Sequence, residues 1–233
     1  MTSRSGLSKV ELAATAALLL AVLGVGALLL PRPSGGAGSP PPVAQGPTVS
    51  WDTASLEPAR RAAGLPACPD GPGPAPNGPL AGLRLPCLGG PGTVALGAAL
   101  AGRDVLINLW ASYCAPCRAE LPALAEYAER PGAVDVVTVD QRDKPEAALA
   151  LLADLGVKLP AIADPDGQVP AALHSPPALP LSYLLRADGT VVPVWPPVPF
   201  RSADAVSEAV SKLVSRPRAG SPPGASPVHG AGS

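Results

Sequence analysis

The sequence predicts an α/β domain of three layers, and two observations support this fold class. First, each of two short apolar runs, at 104–110 and 134–140, is followed at once by a segment with helical periodicity, which is the order of a βαβ unit. Second, two further apolar runs around an Ala-Asp-Gly turn and a final amphipathic helix follow. The 33 prolines and 25 glycines show that much of the 233-residue chain cannot be packed core. We therefore expect one domain with long extensions.

The N-terminal region contains a candidate membrane span. Leu12–Leu30 has 19 residues without a charge, close to the length of a helix that crosses a bilayer. Arg4 and Lys9 precede it, so the positive-inside rule predicts a cytoplasmic segment at 1–9, a transmembrane signal anchor at 10–30 and an extracytoplasmic remainder. The alternative is a cleaved signal peptide, but the run exceeds the apolar length of about 7 to 15 residues usual for one. We expect a single-pass protein of the cytoplasmic membrane.

A region rich in proline and glycine follows the predicted span. Residues 31–66 begin with a stretch that has almost no large apolar side chain to bury, and we assign this region as a tether. Within it, 55–65 has the features of a short helix, with Ser55 as N-cap, Pro58 in the first turn and Gly64 as the stop signal.

The domain is assigned to residues 67–215, and the tail 216–233 is disordered by composition. The predicted elements, in chain order, are a strand at 104–110, a helix at 115–129, a strand at 134–140, a helix at 144–156, a hairpin of LSYLLR and TVVPVW, and a closing helix at 202–215. The formal net charge is −1, and no run of Lys or Arg exceeds the pair Arg60 and Arg61. A nucleic-acid partner is therefore excluded.

Cys114 and Cys117 lie where the first predicted strand passes into its helix, in NLWASYCAPCRAELP. Unpaired backbone N–H groups and the helix dipole at this point favour a thiolate, which predicts Cys114 as nucleophile and Cys117 as the resolving thiol. The alternatives are a zinc site and a static bridge. A zinc site normally needs a second pair at similar spacing, and Cys68 and Cys87 are 19 apart, so we expect no metal ion. The spacing alone does not exclude a static bridge.

The stretch NLWASYCAPCRAELPAL resembles the active site of thioredoxin-fold proteins, specifically the membrane-anchored, extracytoplasmic TlpA/ResA-like thiol-disulfide oxidoreductases. The resemblance covers about 85–214 and includes the W-A-x-x-C-x-P-C core and the helix proline Pro122. It implies a thioredoxin-like fold, in which a central mixed sheet is flanked by helices, with no cofactor. It also implies a redox-active disulfide between Cys114 and Cys117.

Several site residues follow from this resemblance. Pro180 matches the family's cis-proline, and Trp110, Leu179 and Pro180 are expected to bind substrate; the alternative is that Pro180 is an ordinary turn proline. A cis bond here turns the backbone of Leu179 toward the cysteine pair, where it can bond an extended segment. Leu181 stands where a threonine is common, and the HSPP segment at 174–177 lengthens the approach.

Glu120 is the third predicted catalytic residue, because it matches a glutamate that lies near the cysteine pair in the ResA-like branch. A partly buried carboxyl there would have a raised pKa and could exchange a proton with Cys117. The alternative is an exposed side chain that only balances the helix dipole. Asn108 stands where cytoplasmic thioredoxins have a buried Asp and cannot do acid-base work. His174 is expected to be a loop residue rather than a base or ligand.

Cys68 and Cys87 are expected to form a structural disulfide, because an even cysteine count in an oxidising compartment favours pairing. Closing a loop of this length stabilises a fold by about 3 kcal/mol. Four cysteines allow three pairings, and only this one leaves the C-x-x-C pair free to cycle.

The predicted function is extracytoplasmic thiol-disulfide exchange, which the resemblance implies is reductive more often than oxidative. The expected partners are disulfide-bearing exported proteins, including apocytochrome c, and a membrane conduit that supplies electrons. One alternative is a peroxiredoxin-like peroxidase, but its lone peroxidatic cysteine in a T-x-x-C setting is absent. The other is a redox-sensing or assembly adaptor without catalysis.

Overall fold

The structure is a computed structural model that describes residues 54–71 and 77–216. The helices, in chain order, are α1 Glu57–Ala63, α2 Leu96–Ala99, α3 Ala115–Ala128, α4 Pro145–Leu155, α5 Gln168–Ala172 and α6 Ala203–Val214. The strands are β1 Arg84–Pro86, β2 Thr93–Ala95, β3 Val105–Trp110, β4 Asp135–Gln141, β5 Ala161–Asp164, β6 Leu181–Leu185 and β7 Val191–Pro193.

Five strands form a mixed sheet in the order β5-β4-β3-β6-β7, which confirms the predicted sheet. β3, β4 and β5 run parallel, whereas β6 is antiparallel to β3 and β7 is antiparallel to β6. β1 and β2 form a separate antiparallel hairpin. Every residue of β3 is buried, as expected for a central strand that is covered on both faces.

Alternate side chains of β3 enter two different apolar clusters, one on each face of the sheet. Leu106 and Trp110 pack with residues of α3, α4 and α6, whereas Ile107 and Leu109 pack with residues of the β1–β2 hairpin and α2. This alternation follows from the two-residue period of a strand. The sheet is therefore the middle layer of three, and the longer helices share one face.

Local signals in the sequence explain where the main helices begin and end. α4 ends at Gly156, whose φ of 66° is favoured by glycine, and α6 begins after Ser202, whose hydroxyl accepts a hydrogen bond from the amide of Ala205 at 3.3 Å. The predicted bounds of α3, α4 and α6 agree with the structure within about one residue. Pro122 lies inside α3.

The predicted boundary at residue 67 is wrong, because α1 belongs to the folded domain. Ala63 is fully buried, and the buried Arg60 donates from Nε to the carbonyl oxygen of Leu88 at 3.3 Å. Pro58 and Gly64 have their predicted roles, but the N-cap position is Leu56 rather than Ser55. The apolar face of this short helix finds its partners only in the tertiary structure, so the tether assigned to 31–66 extends too far.

The hairpin β1–β2, the strand β5 and the short helices α2 and α5 were not predicted. Each has three to five residues, which is too short for periodicity to reveal. Within 54–71 and 77–216, no helix is long and apolar enough to cross a bilayer. The predicted segments 1–9 and 10–30, and most of the predicted tail, lie outside the described residues.

Candidate redox site

Cys114 is the N-cap residue of α3 and forms a disulfide with Cys117, with an S–S distance of 2.02 Å. The Sγ atom of Cys114 also accepts a hydrogen bond from the backbone amide of Cys117 at 3.3 Å. An N–H group directed at this sulfur, together with the helix dipole, stabilises a thiolate on Cys114 after reduction. Cys114 is 9% exposed and Cys117 is 1% exposed, so an incoming substrate reaches Cys114 first.

Two hydrogen bonds hold the loop before Cys114 against the end of β4. The backbone amide of Ser112 donates to Oδ2 of Asp143 at 2.6 Å, and the hydroxyl of Tyr113 donates to the carbonyl oxygen of Gln141 at 3.2 Å. Neither contact reaches the sulfur atoms, so the disulfide can open while the loop stays in place.

The peptide bond between Leu179 and Pro180 is cis, which confirms the predicted cis-proline. Leu179 and Cys114 line the same groove, which has a volume of about 550 Å³. Among the described residues, the backbone N–H and C=O of Leu179 have no hydrogen-bond partner. They are therefore available to an extended chain that lies across the cysteine pair.

Trp110 does not have the exposed surface that its predicted role in substrate binding requires. Its side chain is 0% exposed and belongs to the core cluster on the helix face of the sheet. As the last residue of β3, it packs beneath the redox loop instead of facing a substrate. The prediction is corrected because a motif position shows which residue is present but not which way its side chain points.

Glu120 is buried rather than exposed, with 2% of its surface accessible. Burial raises the pKa of its carboxyl to about 7, although a hydrogen bond from the backbone of Phe200 and the charge of Arg201 partly oppose this. Its Oε2 atom has no hydrogen-bond partner among the described residues. Glu120 also lines a small cavity with Pro180. Of the two alternatives left open for Glu120, the structure supports the buried carboxyl.

Asn108 has a structural hydrogen bond rather than a role in proton transfer. Its Nδ2 atom donates to the hydroxyl of Ser182 at 3.0 Å and thereby connects β3 to β6 inside the core. Thus Glu120, rather than Asn108, is the titrating group on this side of the site.

Asp140 is a buried acid that the sequence analysis missed. It is fully buried at the end of β4, and neither carboxylate oxygen has a hydrogen-bond partner among the described residues. Burial, followed by the nearby charges of Asp143 and Asp164, raises the pKa of Asp140 to about 9. It is in register with Trp110 on β3, close to the redox loop. The signal in the sequence that could have revealed it was a carboxyl at the end of the apolar run VDVVTVD.

Cys68 and Cys87 form the second disulfide, with their Cα atoms 5.9 Å apart, as predicted. All four cysteines are thus paired, and the C-x-x-C pair is separate from the structural bridge. His174 is exposed in the loop between α5 and β6 and does not line the groove at Cys114. Among the described residues, no cluster of His, Cys, Asp or Glu could hold a metal ion.

Comparison with known proteins identifies the family. The sequence profile of the family described as Redoxin matches residues 73–195, which is more than half of the chain. The chain belongs to the Redoxin family. This redoxin is 35% identical over 123 residues to the thiol:disulfide interchange protein CycY of Rhizobium leguminosarum bv. viciae, a match that covers 52% of this chain and 65% of CycY. It is 32% identical over 97 residues to the thiol-disulfide oxidoreductase ResA of Bacillus subtilis (strain 168), covering 41% of this chain and 54% of ResA.

A solved structure supports the same assignment. It is a secreted disulfide oxidoreductase of Mycobacterium tuberculosis, described as homologous to DsbE of E. coli. The match has 28% identity and a TM-score of 0.50, and it covers 57% of this chain and 98% of the solved chain. The predicted resemblance to TlpA/ResA-like proteins and the thioredoxin-like fold are therefore confirmed. The redoxin matches between half and two thirds of the lengths of CycY and ResA.

Proposed function

We propose that this redoxin is a thiol-disulfide oxidoreductase that reduces disulfides of exported proteins outside the cytoplasm. The observation that carries the proposal is the placement of Cys114. Its sulfur caps α3, is bonded to Cys117 and opens into the groove lined by Leu179, next to the cis-proline Pro180. A static bridge would not need a helix terminus to stabilise its thiolate or a groove beside it.

The reaction starts from the reduced pair and proceeds in two exchanges. The Cys114 thiolate attacks one sulfur of the substrate disulfide, forms a mixed disulfide and releases the other substrate sulfur as a thiolate. The Cys117 thiolate then attacks Cys114, which closes the bond present in this structure and releases the second substrate thiol. Two electrons pass from the protein to the substrate. A dithiol donor, which we propose is a membrane protein, must return them.

Cys117 must lose its proton before the second exchange, and Glu120 is the group proposed to take it. Glu120 lies one helical turn beyond Cys117 on α3 and is buried, so its carboxylate form is a better base than an exposed glutamate. A pKa of about 7 places its titration near neutral pH, where a general base is most effective.

The Cys68–Cys87 disulfide supports the extracytoplasmic location, because structural disulfides persist in oxidising compartments. With the predicted anchor at 10–30, the proposed location is the outer face of the cytoplasmic membrane. Membrane association of the full-length chain that resists alkali is expected. A mature N-terminus beyond Pro31 would contradict the anchor. Apocytochrome c, with its paired haem-attachment cysteines, is the proposed substrate to test first.

Trapping of mixed disulfides tests the proposed chemistry. Cys117→Ser should accumulate a mixed disulfide with a protein substrate such as insulin, and Cys114→Ser should not, because only Cys114 is placed to attack. The double variant Cys68→Ala/Cys87→Ala is the control. At a temperature where it is folded, it should still catalyse the reduction of insulin with dithiothreitol as the electron donor. A mixed disulfide that accumulates through Cys117 would show that Cys117 is the nucleophile and Cys114 the resolving thiol. A wild-type protein that reduces no disulfide would favour the adaptor alternative.

A further inference from the structure

The groove beside Cys114 has the volume of a ligand-binding cleft, at about 550 Å³. The loop before β6 forms part of its wall, where the exposed residues Pro176, Pro177 and Ala178 present apolar surface. Because this surface and the reactive Cys114 line the same groove, it is within reach of the residues that flank the cysteine of a substrate.

This apolar wall is held in place by the protein itself. The amide of Ser175 donates to the carbonyl oxygen of Pro170 at 2.9 Å, and its hydroxyl accepts from the hydroxyl of Tyr183 at 2.6 Å. The amide of Ala178 donates to the carbonyl oxygen of Pro176 at 2.8 Å. A wall that is already ordered can bind a side chain without paying for its own ordering.

Arg142 is the charged residue among the described residues that line the groove. Its φ is 49°, which is uncommon for a large side chain, and such conformations cluster at functional sites. The guanidinium group lies against Gly167, where a Cβ atom would be 2.6 Å from its central carbon. It also donates from Nη2 to the carbonyl oxygen of Asp166 at 3.3 Å. The arginine is therefore positioned at the edge of the groove.

The charge of Arg142 is not neutralised within the part of the chain that the structure describes. None of the ion pairs found there includes Arg142. The neighbouring carboxylate of Asp143 accepts hydrogen bonds from the amides of Ser112 and Lys144. The groove thus combines an apolar wall with one available positive charge.

We propose that this groove selects disulfide-bearing segments with a large apolar side chain and a carboxylate within a few residues of the reacting cysteine. Arg142 is the specificity residue for the carboxylate. The free backbone groups of Leu179 require the segment to be extended, and the loop 176–178 takes the apolar side chain. This inference rests on the proposed function, because the groove can select only if Cys114 reacts.

The test uses short peptides whose single cysteine is joined in a disulfide to 2-nitro-5-thiobenzoate. Attack by the reduced full-length protein releases the coloured thiolate, so the rate is read directly. The peptides carry Leu on one side of the cysteine and Asp, Asn or Lys on the other, in both orders. A further peptide has Ser in place of Leu. Each rate is divided by the rate with the 2-mercaptoethanol disulfide of the same leaving group, which has no charged group in place of the peptide. The measurements are repeated at high salt.

The wild-type protein should react about two- to five-fold faster with the Asp peptide than with the Asn peptide, as expected for an exposed ion pair, and high salt should remove the difference. Replacing Leu by Ser should slow the reaction about five-fold, because part of the apolar contact is lost. R142Q should remove the preference for Asp, and R142E should reverse it in favour of Lys. R118Q is the matched control: Arg118 is exposed next to Cys117 but does not line the groove, and this variant should keep the preference.

Three results would overturn the inference. The first is equal rates for the Asp, Asn and Lys peptides, and the second is a preference for the Asp peptide that persists in R142Q. The third is an equal loss of this preference in R118Q, which would show that it arises from the overall positive charge near the site rather than from Arg142. G167A provides a second route, because its Cβ would displace the guanidinium and should weaken the preference without changing the charge. Failure of the proposed function would look different, since no peptide and no small disulfide would then release the coloured thiolate.

Discussion

Replacing Glu120 by glutamine tests whether its carboxyl is a buried titrating group. Burial in the fold raises the pKa of this carboxyl from an ordinary value of 4.5 to about 7, so it stays mostly protonated up to about neutral pH. Between these values the folded state binds more protons than the unfolded state, so the contribution of Glu120 to stability falls as pH rises. At 1.36 kcal/mol per pKa unit, about 3 kcal/mol is lost between pH 4 and pH 8.

Glu120→Gln removes this titration and keeps nearly the same shape. The free energy of unfolding of the variant minus that of the wild type should therefore increase by about 3 kcal/mol from pH 4 to pH 8, which means that the variant gains stability relative to the wild type. The amide has a cost of its own inside the protein, but this cost does not depend on pH and cancels in the comparison. Asp140 is present in both proteins, so its contribution cancels as well.

Urea unfolding of the oxidised proteins at pH 4, 6 and 8, followed by circular dichroism, measures this difference. A difference in stability that stays constant across these pH values would refute the reasoning. The same variant should slow the resolution of the mixed disulfide about 10- to 100-fold at neutral pH if Glu120 takes the proton from Cys117. Superimposable pH-rate profiles would show that the proton passes directly to water.

Three further changes test other parts of the structure. Asp140→Asn should gain stability over the wild type by several kcal/mol as pH rises from 4 to 9, because the raised pKa of Asp140 makes the folded wild type lose stability over this range. A difference in free energy of unfolding that stays constant over this range would argue against a buried acid. Gly167→Ala should lower the free energy of unfolding by about 1 to 2 kcal/mol, since its φ of 71° is unfavourable for alanine, whereas no change in urea midpoint would contradict this. Cys68→Ala/Cys87→Ala should cost about 3 kcal/mol in thermal or urea unfolding, and an unchanged stability would show that the bridge constrains little.

The redox pair illustrates what could be predicted from neighbouring residues. A strand that leads directly into a helix through C-x-x-C places Cys114 at the helix terminus, and this depends on residues within one turn of each other. The ends of α4 at Gly156 and α6 at Ser202 were predicted for the same reason. The boundary of α1 and the strand β5 could not be predicted in this way, because a short segment is stabilised mainly by the residues that pack against it.

The sequence by itself determined the order of the central strands and helices, the position of Cys114 and the choice of Pro180 as the cis-proline, since each follows from local chemistry or a motif. Only the tertiary structure decided that Glu120 and Asp140 are buried, that Trp110 faces the core and that Arg142 lies at the groove. A pKa depends on how much water surrounds a carboxyl, and for Glu120 that is decided by Pro180 and Phe200, which are distant in the chain. Contacts of this kind arise from folding and leave no periodic signal in the sequence.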